Sequence, residues 1–245
     1  MVRQGFVNLK STPRLLIILD CLAGLFLAAA LWMTLVYAPR EVEMGDVQRV
    51  FYFHVSSGWT GMLGFLLAFF ASIYYLRTRI QIWDVASLAG VEIGLVFTAL
   101  TIISGSIWAR PIWNTWWTWD PRLTTAFIME LIYAAYLLLR RGVEDPAQRA
   151  RFSAVYAIVG FITVPLTFLS IRIFRTIHPV IIGGGNSAAS GTFSMSTPML
   201  QTFLFSLLTF TLLFAAFYWH RLRLGIRQQL FEEQEFARLQ EEGNA

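Results

Sequence analysis

The most distinctive stretch of the sequence is "WNTWWTWDPRL" at residues 113–123, which holds four tryptophans, one aspartate and one arginine. If residues 112–120 form a helix, four side chains recur at i, i+3, i+4 and i+7 and share one face. These are Trp113, Trp116, Trp117 and Asp120, whereas Trp119 points elsewhere. That face would be a flat aromatic surface, which suits a large planar apolar ligand.

Tryptophans also collect at membrane interfaces, where they form aromatic belts. A belt distributes its tryptophans over many helix ends, but this chain places five of its nine between residues 108 and 119. The concentration favours a binding surface, with a belt as the alternative.

Two of the three histidines flank the tryptophan segment in sequence. His54 lies in "VFYFHVSSGW", where apolar residues at helical spacing place its imidazole on the apolar face of a helix. His178 lies in "RTIHPVIIGGG", after two arginines and before a glycine-rich stretch at 181–191 that could be a lid. Each is either a packed residue or a metal ligand. His220 ends the last span, where a cation suits a helix C-terminus.

A planar ligand with a central metal and anionic edge groups would use all of these residue types. Indoles cover its faces, imidazoles bind the metal, and guanidinium groups pair with carboxylates. Haem meets these requirements, with His54 and His178 as the two axial ligands of its iron. Five outside arginines are candidates for this role: Arg49, Arg110, Arg122, Arg172 and Arg175. Of these, we predict Arg49 and Arg122 as the site arginines. Since C-x-x-C-H is absent and Cys21 is the single cysteine, haem is not attached to this chain through that motif.

Three acidic residues could also be functional. Asp120 precedes Pro121, and Asp-Pro is a good N-cap and first residue of a helix, so capping and a functional role both remain open. Glu92 and Glu130 fall within predicted spans, where a charged carboxylate is costly. They could line a lateral entry route, relay a proton or form interhelical hydrogen bonds.

The elements that must hold these residues are membrane helices. The chain has 245 residues, 56% hydrophobic and 14% charged, with a mean hydropathy of +0.58, which excludes an ordinary soluble domain. A scan for apolar runs of about 20 residues finds six. They lie at about 15–37, 59–76, 84–107, 123–139, 152–171 and 200–219. We predict an all-α integral membrane protein: a bundle of six transmembrane helices in one polytopic domain, with the first run retained as an anchor.

The orientation follows from the cations, because Lys and Arg near span ends favour the cytoplasmic side. With the N-terminus inside, 13 of the 19 Lys and Arg residues lie inside and 6 outside. Both termini are therefore predicted to be cytoplasmic, with a charged tail at 221–245. The outside loops, which we expect to contain short helices, carry His54, His178 and the tryptophan segment. The basic pI then reflects the cations that orient the helices in the membrane. The sequence contains no basic groove that would indicate a nucleic-acid partner.

The stretch "WNTWWTWDPRLT" resembles the WWD motif of the cytochrome c assembly proteins that handle haem. The resemblance extends to "FYFHV", to "RTIHP" and to the six-span layout, so it covers nearly the whole chain. Within that group the sequence is similar to the haem exporter protein C family, CcmC. This implies a subunit of the bacterial inner membrane that presents haem b at the periplasmic surface and loads it onto the haem chaperone CcmE. The other implied partners are the small membrane protein CcmD and the ABC transporter subunits CcmA and CcmB.

Two positions depart from the usual WWD motif. Asn114 stands where glycine is usual and Pro121 where alanine is usual. The Trp-Asp-Pro form is more similar to relatives that join haem to apocytochrome c, but those are longer and carry additional histidines within their spans. The short chain and its single external histidine pair favour the haem loader.

Three alternatives remain. A b-type electron-transfer cytochrome would bury its haem within the bundle, whereas His54 and His178 are predicted outside. A cytochrome c synthase would attach haem directly to an apocytochrome. For a pure transporter, the sequence offers neither a P-loop nor an obvious inverted repeat. If the chain is a loader, covalent chemistry belongs to haem and chaperone, so we do not expect an enzyme in the usual sense.

Overall fold

The computed structural model describes residues 11–178 and 195–243, and these residues are nearly all helical. The glycine-rich stretch 181–191 lies outside the described residues. The described residues form seven α-helices, in this order: α1 Arg14–Trp32, α2 Val50–Thr78, α3 Gln81–Trp113, α4 Pro121–Gly142, α5 Pro146–Gly160, α6 Thr163–Ile173 and α7 Thr197–Gly243. A π-helix, Met33–Tyr37, continues α1, and a 3-10 turn, Asp46–Arg49, leads into α2.

In the part of the chain that the structure describes, six helical segments are long and apolar enough to cross a membrane, as predicted. Helices α5 and α6 together form the fifth segment, interrupted at Phe161–Ile162. Pro165 contributes to the interruption because it has no N–H to donate to the carbonyl group of Phe161. Most helices extend beyond the apolar runs, and α7 continues as one helix into the charged tail.

Helices α2 and α3 approach closely because small residues face each other. A Cβ added to Gly64 would lie 2.6 Å from the carbonyl oxygen of Gly90 and 2.9 Å from the Cα of Gly94. Only glycine permits this backbone approach, which is typical of membrane helix pairs. The contact fixes the register of the two helices and sets His54 of α2 beside Thr101 of α3.

Residues 112–120 do not form one helix, so the condition for a shared tryptophan face is not met. Helix α3 ends at Trp113, because Asn114 adopts a left-handed conformation with φ of 55°. Arg110 stabilises this end by donating from Nη1 to the carbonyl oxygen of Asn114 at 2.7 Å. Residues 114–120 form a non-helical loop, and the next helix begins at Pro121, capped by Asp120. The motif side chains therefore do not share one helical face.

Glu92 and Glu130, the two acidic residues singled out above, both have partners on other helices. Glu92 of α3 pairs with Arg221 of α7, and its Oε1 accepts from Nη2 of Arg221 at 3.0 Å. Glu130 of α4 accepts a hydrogen bond from the hydroxyl group of Thr98 on α3. Three roles were considered for these carboxylates: an entry route, a proton relay and interhelical hydrogen bonds. The observed contacts are interhelical bonds.

Candidate functional site

A small cavity lies among α2, α3, α4, α6 and the segment 174–178 that follows α6. Its volume is about 80 Å³, and most of its lining is apolar. The lining residues that could bind a ligand are His54, Trp108, Trp113, Trp117, Arg122 and His178. The fold thus brings together both predicted histidines, two of the four predicted tryptophans and one of the two predicted arginines.

His54 is buried and is held by α3 through its Nδ1 atom. Nδ1 lies 3.0 Å from the carbonyl oxygen of Thr101 and 3.1 Å from the Oγ of Ser104. A carbonyl oxygen can only accept, so Nδ1 carries the hydrogen, and in the neutral ring the lone pair is on Nε2. Metal-binding histidines are usually oriented by such a second partner. His54 can therefore offer Nε2 to a metal.

Gly105 makes room for the His54 imidazole. A Cβ added at this position would lie 2.9 Å from Cε1 of His54, a separation that real Cβ atoms essentially never show. Any side chain at position 105 would therefore displace the ring.

His178 is half-buried and faces His54 across the cavity. Their ring centroids are 6.4 Å apart, and the ring planes are tilted by 32°. An imidazole nitrogen lies about 2 Å from a bound transition metal, so two imidazoles on opposite sides of one ion have centroids about 6 Å apart. The separation of His54 and His178 matches an arrangement with one metal ion between them.

The tryptophans divide into a lining group and an exposed group. Trp108 is buried and, like Trp113, contacts the ring of His178, at centroid distances of 6.4 and 6.5 Å respectively. Trp117 also lines the cavity, and it contacts Trp119 edge-on. Trp116 and Trp119 are 59% and 71% exposed and do not line the cavity. The aromatic surface is thus a pocket wall with an exposed margin.

Asp120 has two structural roles. As the N-cap of α4, its Oδ1 accepts from the backbone N of Arg122 at 2.9 Å. The same carboxylate accepts from Oγ1 of Thr176 at 2.8 Å and from the backbone N of Ile177 at 2.9 Å. Asp120 therefore connects the tryptophan loop to the segment that carries His178.

The two predicted arginines lie in different places. Arg122 lines the cavity, and its Nη1 donates to the carbonyl oxygen of Thr167 on α6. Arg49 does not line the cavity; its Nη1 donates to the carbonyl oxygen of Thr34 at 2.6 Å, and its Nε lies 3.2 Å from Asp46. The Arg49 guanidinium thus secures the π-helix of the first span to the start of α2.

Sequence reasoning did not include several residues of the site. Trp108 was counted with the tryptophans but not predicted to line a pocket, and its Nε1 is buried without a hydrogen-bond partner among the described residues. Thr101, Ser104 and Gly105, which position His54, lie on one α3 face that continues the small-residue stripe packed on α2. That stripe was a detectable sequence signal. The hydrogen bond from Thr176 to Asp120 had no detectable signal in the sequence.

Fold and site together define a multi-pass helical membrane protein with a histidine- and tryptophan-lined cavity among its helix ends. The model of the family "Heme exporter protein C", CcmC, matches residues 4–237. The chain belongs to this family.

Individual relatives agree with the family match. The chain is 34% identical to the heme exporter protein C of Bradyrhizobium diazoefficiens over 223 residues, which are 89% of this chain and 83% of that protein. It is 31% identical to a putative cytochrome c biosynthesis ccmC-like mitochondrial protein of Arabidopsis thaliana over 184 residues, 73% of this chain and 68% of the relative. With the heme exporter protein C of Escherichia coli K12, identity is 28% over 142 residues, 58% of each chain.

Proposed function

We propose that the chain handles haem for cytochrome c maturation, and that it holds haem b with the iron between His54 and His178. The names of its relatives, heme exporter protein C and a cytochrome c biosynthesis protein, support haem handling. The single observation that carries the site assignment is the 6.4 Å separation of the two imidazoles, one of them oriented by a backbone carbonyl. That separation is compatible with one metal ion bound between the two rings.

The other cavity residues suit the remainder of the haem group. Trp113 and Trp117 offer indole surfaces to an apolar macrocycle. Arg122 is the cation that lines the cavity, and it can pair with a propionate. The orphaned Nε1–H of Trp108 is a buried donor that an acceptor on the cargo or a water molecule would satisfy.

The size of the cavity favours a site for transfer over a site for permanent storage. Its volume of about 80 Å³ is far below the roughly 300 Å³ at the lower end of ordinary ligand pockets. A haem bound by these residues would extend beyond the cavity, within reach of a partner. The chain would then position the haem while the bond-forming chemistry takes place between haem and acceptor.

The acceptor and the setting follow from the family resemblance. The acceptor is the haem chaperone CcmE, and the assembly includes CcmD, CcmA and CcmB. The protein resides in the bacterial inner membrane with its cavity towards the periplasm. The exposed Trp116 and Trp119 lie beside the cavity and form an aromatic margin suited to an interface with lipid or partner.

The test is to purify the wild type and the His54→Ala and His178→Ala variants after co-expression with the chaperone. Haem spectra of the chain and covalent haem on the chaperone are measured. We expect a bis-histidine spectrum in the wild type and a loss of both signals in each variant. The matched control is His220→Ala, because His220 lies on the other side of the bundle, bonded to Asp20 at 3.0 Å. Both signals should persist in it.

Three results would contradict the proposal. Normal haem and normal loading in both cavity variants would remove the ligand assignment. Haem that stays on the chain in the presence of the chaperone would indicate an electron-transfer cytochrome. Haem that moves to a C-x-x-C-H peptide without the chaperone would indicate a cytochrome c synthase.

A further inference from the structure

One carboxylate joins two parts of the site that are far apart in sequence. Asp120 ends the tryptophan loop, and Thr176 and Ile177 directly precede His178. Asp120 and Thr176 are 9% and 3% exposed, so this connection is buried. Three donors converge on the carboxylate: the backbone N of Arg122, Oγ1 of Thr176 and the backbone N of Ile177.

The hydrogen bonds continue to the histidine itself. Oγ1 of Thr176 donates to Oδ1 of Asp120 and accepts from the backbone N of His178 at 3.0 Å. Oδ2 of Asp120 accepts from the backbone N of Ile177. The backbone leading into His178 is thereby fixed to the first turn of α4, a rigid element that also presents Arg122 to the cavity.

We infer that Asp120 is a positioning residue that acts on haem through His178. It holds the imidazole of His178 opposite His54 and does not bind the haem itself. The inference rests on the proposed haem site and deepens it, because it gives the motif aspartate a role distinct from that of the motif tryptophans.

The geometry explains why this position needs a carboxylate. Oδ1 accepts two hydrogen bonds and Oδ2 accepts a third. An asparagine has one acceptor oxygen, and its NH₂ group would face a backbone N–H. Asparagine is nevertheless as good an N-cap as aspartate. An asparagine oxygen at the Oδ1 position would keep both the cap of α4 and the bond from Thr176, and its NH₂ group would then oppose the N–H of Ile177. Asp120→Asn therefore preserves the start of α4 while it removes the bond to Ile177, and Thr176→Val removes the other bond.

The experiment records the ferric haem spectrum of the purified full-length chain. Two imidazole ligands give a six-coordinate low-spin spectrum, whereas His54 alone gives a high-spin one. We expect Asp120→Asn and Thr176→Val to lose most of the low-spin signal and to bind haem about tenfold more weakly, as is typical when the orienting partner of a ligand is removed. Added free imidazole should restore the low-spin spectrum. Thr176→Ser, which keeps the hydroxyl group, should retain the signal that Thr176→Val loses.

A double variant separates positioning from direct contact. If Asp120 acts only through His178, Asp120→Asn adds nothing to the His178→Ala variant. A further loss of haem in the double variant would overturn the inference in favour of direct contact. A wild-type spectrum in both Asp120→Asn and Thr176→Val would overturn it as well. If the wild type itself lacks a bis-histidine spectrum, the proposed haem site fails and the inference with it.

Discussion

The two ends of the helix bundle each concentrate polar groups, but they use them differently. We call the end that carries the cavity around His54 and His178 the histidine end. There, His54 is oriented through one ring nitrogen, so that the other nitrogen is available to a ligand. We call the opposite end, where charged side chains bind each other, the ion-pair end. Nη1 and Nη2 of Arg140 donate to the two carboxylate oxygens of Asp84 at 2.6 and 2.8 Å, and Arg221 pairs with Glu92.

The comparison teaches that volume alone does not identify the functional site. The ion-pair end encloses a cavity of about 640 Å³, against about 80 Å³ at the histidine end. The larger space is lined by the two ion pairs, Arg140 with Asp84 and Arg221 with Glu92, together with other charged and polar side chains. The smaller one is lined by aromatic side chains and by two imidazoles whose ring centroids are 6.4 Å apart, which is compatible with a shared metal ion. Chemistry and geometry, more than size, are the grounds on which we propose the histidine end as the binding site.

The largest expected effect is on folding, at the ion-pair end. Arg140→Ala would leave the buried carboxylate of Asp84 without its partner, and breaking such a pair typically costs about 3–5 kcal/mol. We expect a lower midpoint of thermal unfolding in detergent, with normal haem bound per folded molecule. The double variant Arg140→Gln with Asp84→Asn should recover much of the loss, since it removes both charges. A haem spectrum altered by Arg140→Ala alone would mean that the two ends are coupled.

The next effect is on binding, at the histidine end. Gly105→Ala would push the His54 ring away from its position, and we expect haem binding to weaken about 10- to 100-fold, as for other disturbances of ligand orientation. Haem titration of the purified protein measures this. Gly24→Ala is the matched control, because an added Cβ there meets no atom within 4 Å. Equal affinities of the two variants would show that the His54 ring tolerates displacement.

The smallest expected effect is on haem binding by two tryptophans of the same segment, one lining the cavity and one exposed. Trp113 lines the cavity and contacts His178, whereas Trp116 is 59% exposed and does not line it. Losing an aromatic contact is worth about 0.5–1.5 kcal/mol, so Trp113→Ala should weaken haem binding by about two- to tenfold. Trp116→Ala should leave the binding constant unchanged in the same titration. The reverse order of effects would place the haem on the exposed side of the loop.

Some of the site was predictable from sequence because it depends on residue type and on local pattern. The histidines and tryptophans could be singled out because they are concentrated in a chain that is otherwise apolar. The capping of α4 by Asp120 was predictable because an Asp-Pro pair satisfies a local geometric requirement. The helix considered for 112–120 does not form, and the periodicity of side chains could not reveal that Asn114 adopts a left-handed conformation.

By itself, the sequence determined the membrane helices and the kinds of group available for chemistry. Apolar runs of about 20 residues must form hydrogen-bonded helices in a bilayer, whatever their neighbours. Only the tertiary structure decided which groups meet. The approach of α2 to α3 sets His54 against Thr101, and Asp120 reaches Ile177 across 57 positions of sequence. Such contacts depend on how whole helices pack, and local periodicity carries no information about atoms brought together by packing.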